Sequence, residues 1–413
     1  MSGNGRTIYI AGAGIAGLTL ALALAKFGAT VVVLERNPRI QEVGAGLQIS
    51  PNARHVLDRL GVDRALHAVA FEPKGIDVYP YNALSPLVTL ELGGAVLDRF
   101  GAPYAVMHRA DLAEVLHRAC KRFANIDILF GVRAYDVVSH ARGVSVTVDE
   151  ADGKSRSARA FAFIGADGVR SRTRTDMLMG PEATYTGRVA WRITLGQSDL
   201  AGIVAQDRTS LLWGPDFHAV TYPLPHRRQM NVALFMKARA EDVLGDTPAR
   251  APRLPRAIRG HRRFDDIVRL AGDDWGYWPL FTVATGKWAE GGIGLIGDAA
   301  HAMVPFQAQG AAMAIEDAAV LAPLLMTETD AETALRRYQS IRQPRVDRVR
   351  KLSEQNGFAF HMEWPFSIGR DAVVRAQGSL GHLKRLAWLY GYAPSPDPSS
   401  VPPAPQRAVR DAT

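Results

Sequence analysis

The sequence predicts an α/β fold, and three observations carry that expectation. An apolar strand, a glycine-rich turn, an apolar helix and a second apolar strand follow one another within the first 35 residues. The stretch 185–236 is rich in Val, Thr, Trp and Tyr and poor in helix signals, so it reads as sheet. A further apolar strand, IGLIG at 293–297, precedes two helical patterns at 310–325 and 331–355. At 413 residues the chain exceeds the usual size of one domain, so two lobes, consecutive or intertwined, are expected.

TIYIAGA at 7–13 reads as a buried strand, 15–27 as a helix and TVVVLE at 30–35 as a second strand. Strands joined this way are expected to lie parallel, with a right-handed crossover. Between them Gly12-Ala13-Gly14-Ile15-Ala16-Gly17 fits GxGxxG. The first glycine permits a tight turn, the second lets the backbone approach a pyrophosphate, and the third lets helix and strand pack closely. The helix N-terminus then offers unpaired N–H groups to phosphates. Glu35 closes the second strand 23 residues after Gly12, where an acid can hydrogen-bond a ribose hydroxyl, and Arg36 follows it. This Rossmann-like unit predicts a bound dinucleotide, with Gly12, Gly14, Ala16, Gly17, Glu35 and Arg36 around it.

Farther along, a helix is expected at 110–123, and ILFGVRAYDVVSHARGVSVTVDEADG reads as several antiparallel strands with a DG turn. FAFIGADG at 161–168 looks like a buried strand ending in a glycine turn. Residues 238–273 are basic, punctuated by Pro and expected to be helical, and 394–413 have the composition of a disordered tail.

Composition excludes several classes. With 47% hydrophobic and 22% charged residues, the chain has the profile of a soluble protein with a sizeable core. Its apolar stretches are broken by Gly, Pro or charge before they could span a bilayer, and the first 30 residues lack a secretory cleavage pattern. A cytoplasmic protein without stable membrane association is expected. Cys120 is the single cysteine, so an intrachain disulfide and a cysteine zinc cluster are excluded, and packing on a helix is its expected role. The eleven histidines include no HExxH pair, and no metal is expected. The net charge is +8, with arginines concentrated in 249–263 and 336–351. No zinc-finger or RNP pattern accompanies them, so a solvated face is expected rather than a nucleic-acid partner, with a mild pull on anionic substrates as the alternative.

Three further segments carry a resemblance. They are Arg109-Ala110-Asp111-Leu112, Gly165-Ala166-Asp167-Gly168-Val169-Arg170-Ser171, and Gly297-Asp298-Ala299-Ala300-His301 with Pro305 and Gly310 downstream. In this order, after the GxGxxG turn, they resemble the RxDL, DG and GD motifs of the single-component flavin-dependent aromatic hydroxylases, the para-hydroxybenzoate hydroxylase type. The resemblance implies FAD as cofactor, with Arg109, Asp167 and Asp298 among its contacts and Asp298 on the ribityl chain. Gly310 and Ala311, opening the next helix, would aim their N–H groups at the flavin pyrimidine and favour the negative charge of reduction. Glu316 and Asp317 are expected to serve that helix electrostatically, and His301 to structure its turn. The implied architecture is a Rossmann-like FAD-binding domain (1–72, 105–180 and 275–355) interleaved with a mixed-sheet substrate domain (73–104 and 181–274). A helical C-terminal segment (356–393) and the tail follow. One departure is visible: many relatives have GQG followed by Asn at the flavin-facing turn, whereas this chain has Ala308-Gln309-Gly310 and then Met313.

Within that family the chain is most similar to the salicylate, 3-hydroxybenzoate and 6-hydroxynicotinate hydroxylase branch. Trp213-Gly214-Pro215 leading to His218 and Tyr222, PFQAQGAAMAIEDA from Pro305, and Trp388-Leu389-Tyr390-Gly391-Tyr392 carry that likeness. It implies oxidation of NADH or NADPH, use of O2, and oxygen transfer from a flavin C4a-hydroperoxide to a small phenolic or hydroxypyridine ring. It also places a substrate-activating His and Tyr at His218 and Tyr222, and a polar residue at Gln307. His218 and Tyr222 share a strand face but lie roughly 13 Å apart along it, so a ring could lie between them. A general base suits this chemistry, because a phenolate attacks electrophilic oxygen better than a phenol does; positioned proton transfer is worth on the order of 10²–10⁴-fold. The basic balance fits a carboxylated substrate, with Arg188 or Arg192 as candidate anchors. Quinone-precursor or polyketide hydroxylation and a non-catalytic flavin-binding role stay open, as do the oligomeric state, for which a homodimer is compatible, and the choice between NADH and NADPH.

Overall fold

The computed structural model describes residues 5–40, 46–81, 83–150, 153–244 and 262–394. Two sheets organise them. The first is six-stranded, in the order Ala289–Glu290, Ile293–Leu295, Ala162–Gly165, Thr7–Ala11, Thr30–Glu35, Ile126–Phe130. All its pairings are parallel except the short edge strand Ala289–Glu290. Its strands are near-continuous Val/Ile runs because helices cover them, as parallel sheets require. Ile8 lies opposite Val31, and Ile10 opposite Val33. The helix Ile15–Lys26 is apolar all round and buried along nearly its whole length. It packs against the strands Thr7–Ala11 and Thr30–Glu35 and against the helix Gly310–Thr327.

The second sheet is seven-stranded, in the order Gly276–Thr282, Thr184–Gly196, Gln229–Lys237, Phe217–Leu224, Thr209–Gly214, Gly75–Tyr79, Val88–Glu91. It is antiparallel apart from the pairing of Thr209–Gly214 with Gly75–Tyr79. Alternation sorts its side chains. Val189, Trp191, Phe217, Val232 and Leu234 build a core on one face, while Ala190, Ala233 and Phe235 face the first sheet's lobe with Val304 and Phe306. The strand Gly276–Thr282 belongs to this sheet, which therefore takes residues beyond the expected boundary at 274.

One strand expectation is corrected. Ile126–Phe130 does not join an antiparallel set with the strands after it; it pairs parallel with Thr30–Glu35, Ile128 opposite Val33. Its apolar run suits a covered parallel edge, and only Ala134–His140, Gly143–Asp149 and Ser155–Ala160 form the antiparallel unit. The expected helices appear at Arg109–Cys120, Gly310–Thr327 and Ala331–Phe360, and Phe366–Tyr390 adds a kinked one. Cys120 is buried at a helix end, its Sγ 3.5 Å from the Leu18 carbonyl oxygen. In 238–273 the described residues form helices at Ala240–Leu244 and Arg262–Ala271. The arginines at 249–261, Asp152 of the DG turn and the tail from 395 lie outside the described residues.

The expectation of a solvated arginine face fails at 336–351. Arg342 is fully buried, and Arg345 is nearly so. The reason is non-local: their partners are Glu316 and Asp317 on the preceding helix. Among the described residues one helix, Gly310–Thr327, is long and apolar enough to cross a membrane, and it is mostly buried inside the protein.

Candidate active site

The carboxyl ends of the parallel strands open onto a cleft of about 570 Å³, whose opposite wall is the inner face of the seven-stranded sheet. The GxGxxG turn forms one end. Gly12 has φ +102°, and a Cβ there would lie 2.5 Å from the Ala166 carbonyl oxygen; a Cβ on Gly17 would overlap the Gly12 carbonyl oxygen. Only glycine fits either place. Gly12, Gly14 and Ala16 line the cleft, whereas Gly17 lies beneath it and lets helix and turn meet. Glu35 and Arg36 line the same end, and Glu35 accepts hydrogen bonds from the Ala13 N–H and the Asn37 N–H, both at 2.9 Å.

Asp167 lines the cleft and organises its own turn. Its carboxylate accepts from Ser171 Oγ (2.6 Å), from the Thr173 N–H (3.0 Å) and from the Tyr135 hydroxyl (3.1 Å). Asp298 follows the strand Ile293–Leu295, is exposed, and faces the cleft. Gly310 and Ala311 present the start of their helix to the same space, and Arg109 enters from the start of the helix Arg109–Cys120. Asp111, two residues on, is held by Arg227 and His226 (2.5 and 2.6 Å), which ties this helix to the 3₁₀ turn Pro225–Arg227 of the mixed sheet.

Beneath the Gly297–Asp298 turn lies a buried polar network that the sequence reading missed. Asp317 Oδ2 accepts from the Gly297 N–H (2.9 Å) and lies 2.6 Å from His301 Nε2, while Arg342 Nε donates to Oδ1 (2.8 Å). Burial alone would raise the Asp317 carboxyl, yet His301 and Arg342 hold it well below the usual carboxylate range. Glu316 accepts from Arg342, Arg345 and Asn52. Asn52 also donates to Gln309, whose amide donates to Ser50. Glu316 and Asp317 therefore pair across helices rather than serving their own helix. Two acids inside an otherwise apolar helix were the signal available in the sequence, since isolated buried carboxylates demand cationic partners.

The sheet face supplies a different chemistry. Val220, Ala233, Phe235, Trp278 and Leu280 are apolar, and Tyr222, Asn231 and Arg192 are polar. Tyr222 is buried at the polar end, and burial raises its hydroxyl pKa despite the opposing Arg192. His218 does not line the cleft. It stacks on Phe235 at 4.6 Å, meets the edge of Phe306 at 4.9 Å, and places Nδ1 2.8 Å from His361 Nε2. Burial, then His361 and Arg188, push His218 well below the usual imidazole value. Gln307 also stands outside the lining, its amide oxygen 2.5 Å from Asn356 Nδ2. Thus Tyr222 joins the cofactor-turn residues around one cleft, and His218 and Gln307 lie behind its far end.

The residues fit FAD. Glycines without room for a Cβ, a helix start and the exposed Asp298 converge where a dinucleotide's pyrophosphate and polyol would lie.

Comparison with known proteins gives the same cofactor. The FAD binding domain family model matches residues 6–353. A 3-amino-4-hydroxybenzoate 2-monooxygenase of Streptomyces platensis is 33% identical, over 94% of this chain and 96% of its own length. A 3-hydroxybenzoate 6-hydroxylase of Polaromonas naphthalenivorans is 31% identical, over 93% and 96%. In fold, the chain matches a salicylate hydroxylase substrate complex with a TM-score of 0.72 at 24% identity, covering 95% of this chain and 96% of that one. It also matches Klebsiella pneumoniae HpxO complexed with FAD, TM-score 0.78 at 20% identity, covering 93% and 98%. The chain belongs to the FAD binding domain family and is a flavin-dependent aromatic monooxygenase.

Proposed function

We propose that this enzyme hydroxylates a small phenolic or hydroxypyridine ring, with NADH or NADPH as transient reductant and O2 as the oxygen source. The observation that carries the reading is the shared cleft: the cofactor turns and an aromatic-walled sheet face enclose one space. The hydroxybenzoates named for the relatives support the same ring class. Dependence on a nicotinamide reductant supports a cytoplasmic setting.

FAD, when bound, supplies reduction by the nicotinamide and transfer of one oxygen atom to the ring. The chain's own groups do the rest. The N–H groups at the start of the helix Ile15–Lys26 hold the pyrophosphate, Glu35 the ribose, Asp298 the ribityl chain, and Gly310 and Ala311 the pyrimidine edge. Arg109 and Arg36 add positive charge along the cofactor, and Asp167 keeps its turn folded. Val220 and Ala233 form a floor on which a flat ring lies, with Trp278 as a wall that excludes water. Tyr222 and Gln307 orient the ring. His218 takes the phenolic proton: when its Nδ1 donates to His361, its Nε2 is left as the acceptor. Its depressed pKa keeps it neutral, and so able to accept, throughout the neutral range.

The test is a panel of hydroxybenzoates and hydroxypyridines given to the FAD-loaded enzyme under air. At least one is expected to stimulate NADH or NADPH oxidation and return with one added oxygen atom. His218→Asn is expected to lower coupled hydroxylation by on the order of 10²-fold or more. A panel in which no compound stimulates oxidation would overturn the reading, and an unimpaired His218→Asn would remove the base assignment.

A further inference from the structure

We propose that Arg192 is the anion anchor of the substrate site, so that the preferred ring carries a carboxylate seated at the Arg192–Tyr222 end of the cleft. This rests on the hydroxylase reading above and names its substrate class. Arg192 lies on the strand Thr184–Gly196, hydrogen-bonded on both sides, opposite Ala233 on one neighbour and Gly276 on the other. Those small neighbours leave the guanidinium room along the sheet face, with its carbon 5.6 Å from the centre of the Trp278 ring.

Its pairing sets Arg192 apart. Buried guanidinium groups elsewhere are well supplied with acceptors. Arg174 donates to the carbonyls of Pro181, Ala299 and Val169, and Arg342 to Asp317, Glu316 and Met313. Arg192 lines the cleft with its Nε buried and without a hydrogen-bond partner, and no carboxylate among the described residues forms an ion pair with it. Burial, with Arg109 nearby, lowers its pKa, but an arginine remains a cation at neutral pH. A cation held this way is costly until a carboxylate completes it, and a guanidinium meets a carboxylate through two parallel N–H donors.

The surroundings fix the orientation. Tyr222 stays protonated because burial raises its pKa, so it adds a hydroxyl donor beside Arg192. Asn231 stands at the same end, its oxygen already accepting from the Gly46 N–H at 2.7 Å. Toward Phe235 the face becomes apolar, with Val220, Ala233 and Leu280. One charged group therefore fits at one end, with the ring beyond it, which describes an aromatic monocarboxylate. Arg188, four residues earlier on the same strand face, also has a buried unpartnered nitrogen. It does not line the cleft, and Asp216 acts on its charge, so the anchor falls to Arg192.

The experiment uses the FAD-loaded enzyme and reads binding from the change in flavin absorbance, independently of turnover. Benzoate and benzamide are titrated into the wild type, Arg192→Met and Arg192→Lys, with flavin content checking that each variant is folded. Wild type is expected to bind benzoate more tightly than benzamide. Arg192→Met is expected to weaken benzoate on the order of 10²-fold more than benzamide, and Arg192→Lys to recover part of that difference. Equal losses for acid and amide, or an unchanged benzoate affinity in Arg192→Met, would overturn the anchor. Because binding is scored apart from NADH oxidation, an anchor that holds without any hydroxylated product would count against the hydroxylase reading alone.

Discussion

Ala308 holds a φ of +54° in the turn before the cofactor-facing helix. A Cβ in the left-handed region costs about 1–2 kcal/mol, and many relatives have glycine in this turn. Ala308→Gly is therefore expected to stabilise the fold by about 1 kcal/mol and to keep FAD, measured by denaturant unfolding of the holoenzyme. Arg342 presents the opposite case. It neutralises both Glu316 and Asp317, so Arg342→Met leaves two buried carboxylates short of a partner. A loss of about 3–5 kcal/mol is expected, together with weaker FAD retention, because Asp317 holds the Gly297 N–H beneath Asp298. The difference in legibility is physical. Gly12, Gly17 and Asp298 are written in local spacing, since a strand, a turn and a helix start are short-range objects. Arg342 and Asp317 sit 25 residues apart on different helices, and periodicity alone gives an arginine in a basic run no reason to point inward.

At the scale of elements, the helix Ala331–Phe360 does more than cover the parallel sheet. Its last turns reach the cofactor-facing loop: Ser353 Oγ donates to the Val304 carbonyl, Asn356 to Gln307, and Gly357 gives the Phe306 ring room. His361, just past its end, completes the pair with His218. Both rings are buried neutral; His361 is pushed down to about 3, by burial first and then by Arg188. An unfolded chain protonates the same histidines near their ordinary value of 6.5. Between those limits the unfolded state binds more protons, so stability is full above about pH 6.5 and is lost as pH falls toward 3. Each ring contributes a slope of up to about 1.4 kcal/mol per pH unit. Chemical denaturation at several pH values is expected to show this slope in the wild type and a shallower one in His361→Asn. An identical slope in both would remove His361 from the account. The sequence marked His218 as a strand residue, but its partner lies 143 residues away, beyond any pattern read along one strand.

Across the whole molecule, the site exists because two sheets of different logic face each other. The parallel sheet was legible in its apolar runs and glycine turn, and the mixed sheet in its β-branched and aromatic bias; their facing geometry was not, because it depends on tertiary ties. One tie joins Asp111 to His226 and Arg227. Another runs through Arg345, which pairs with Glu316, donates to the Trp388 and Leu389 carbonyls, and stacks over Tyr392 at 3.8 Å. The C-terminal Trp-Leu-Tyr-Gly-Tyr signature is thus fastened to the network beneath the cofactor site. The central claim, that this cleft inserts an oxygen atom from O2 into a phenolic ring, is tested most directly by isotope labelling. Turnover of a stimulating hydroxybenzoate under isotope-labelled O2 in ordinary water, with NADH or NADPH, is expected to place one labelled atom in the product. Product carrying oxygen from water instead, or nicotinamide oxidation with the aromatic returned unchanged, would contradict it.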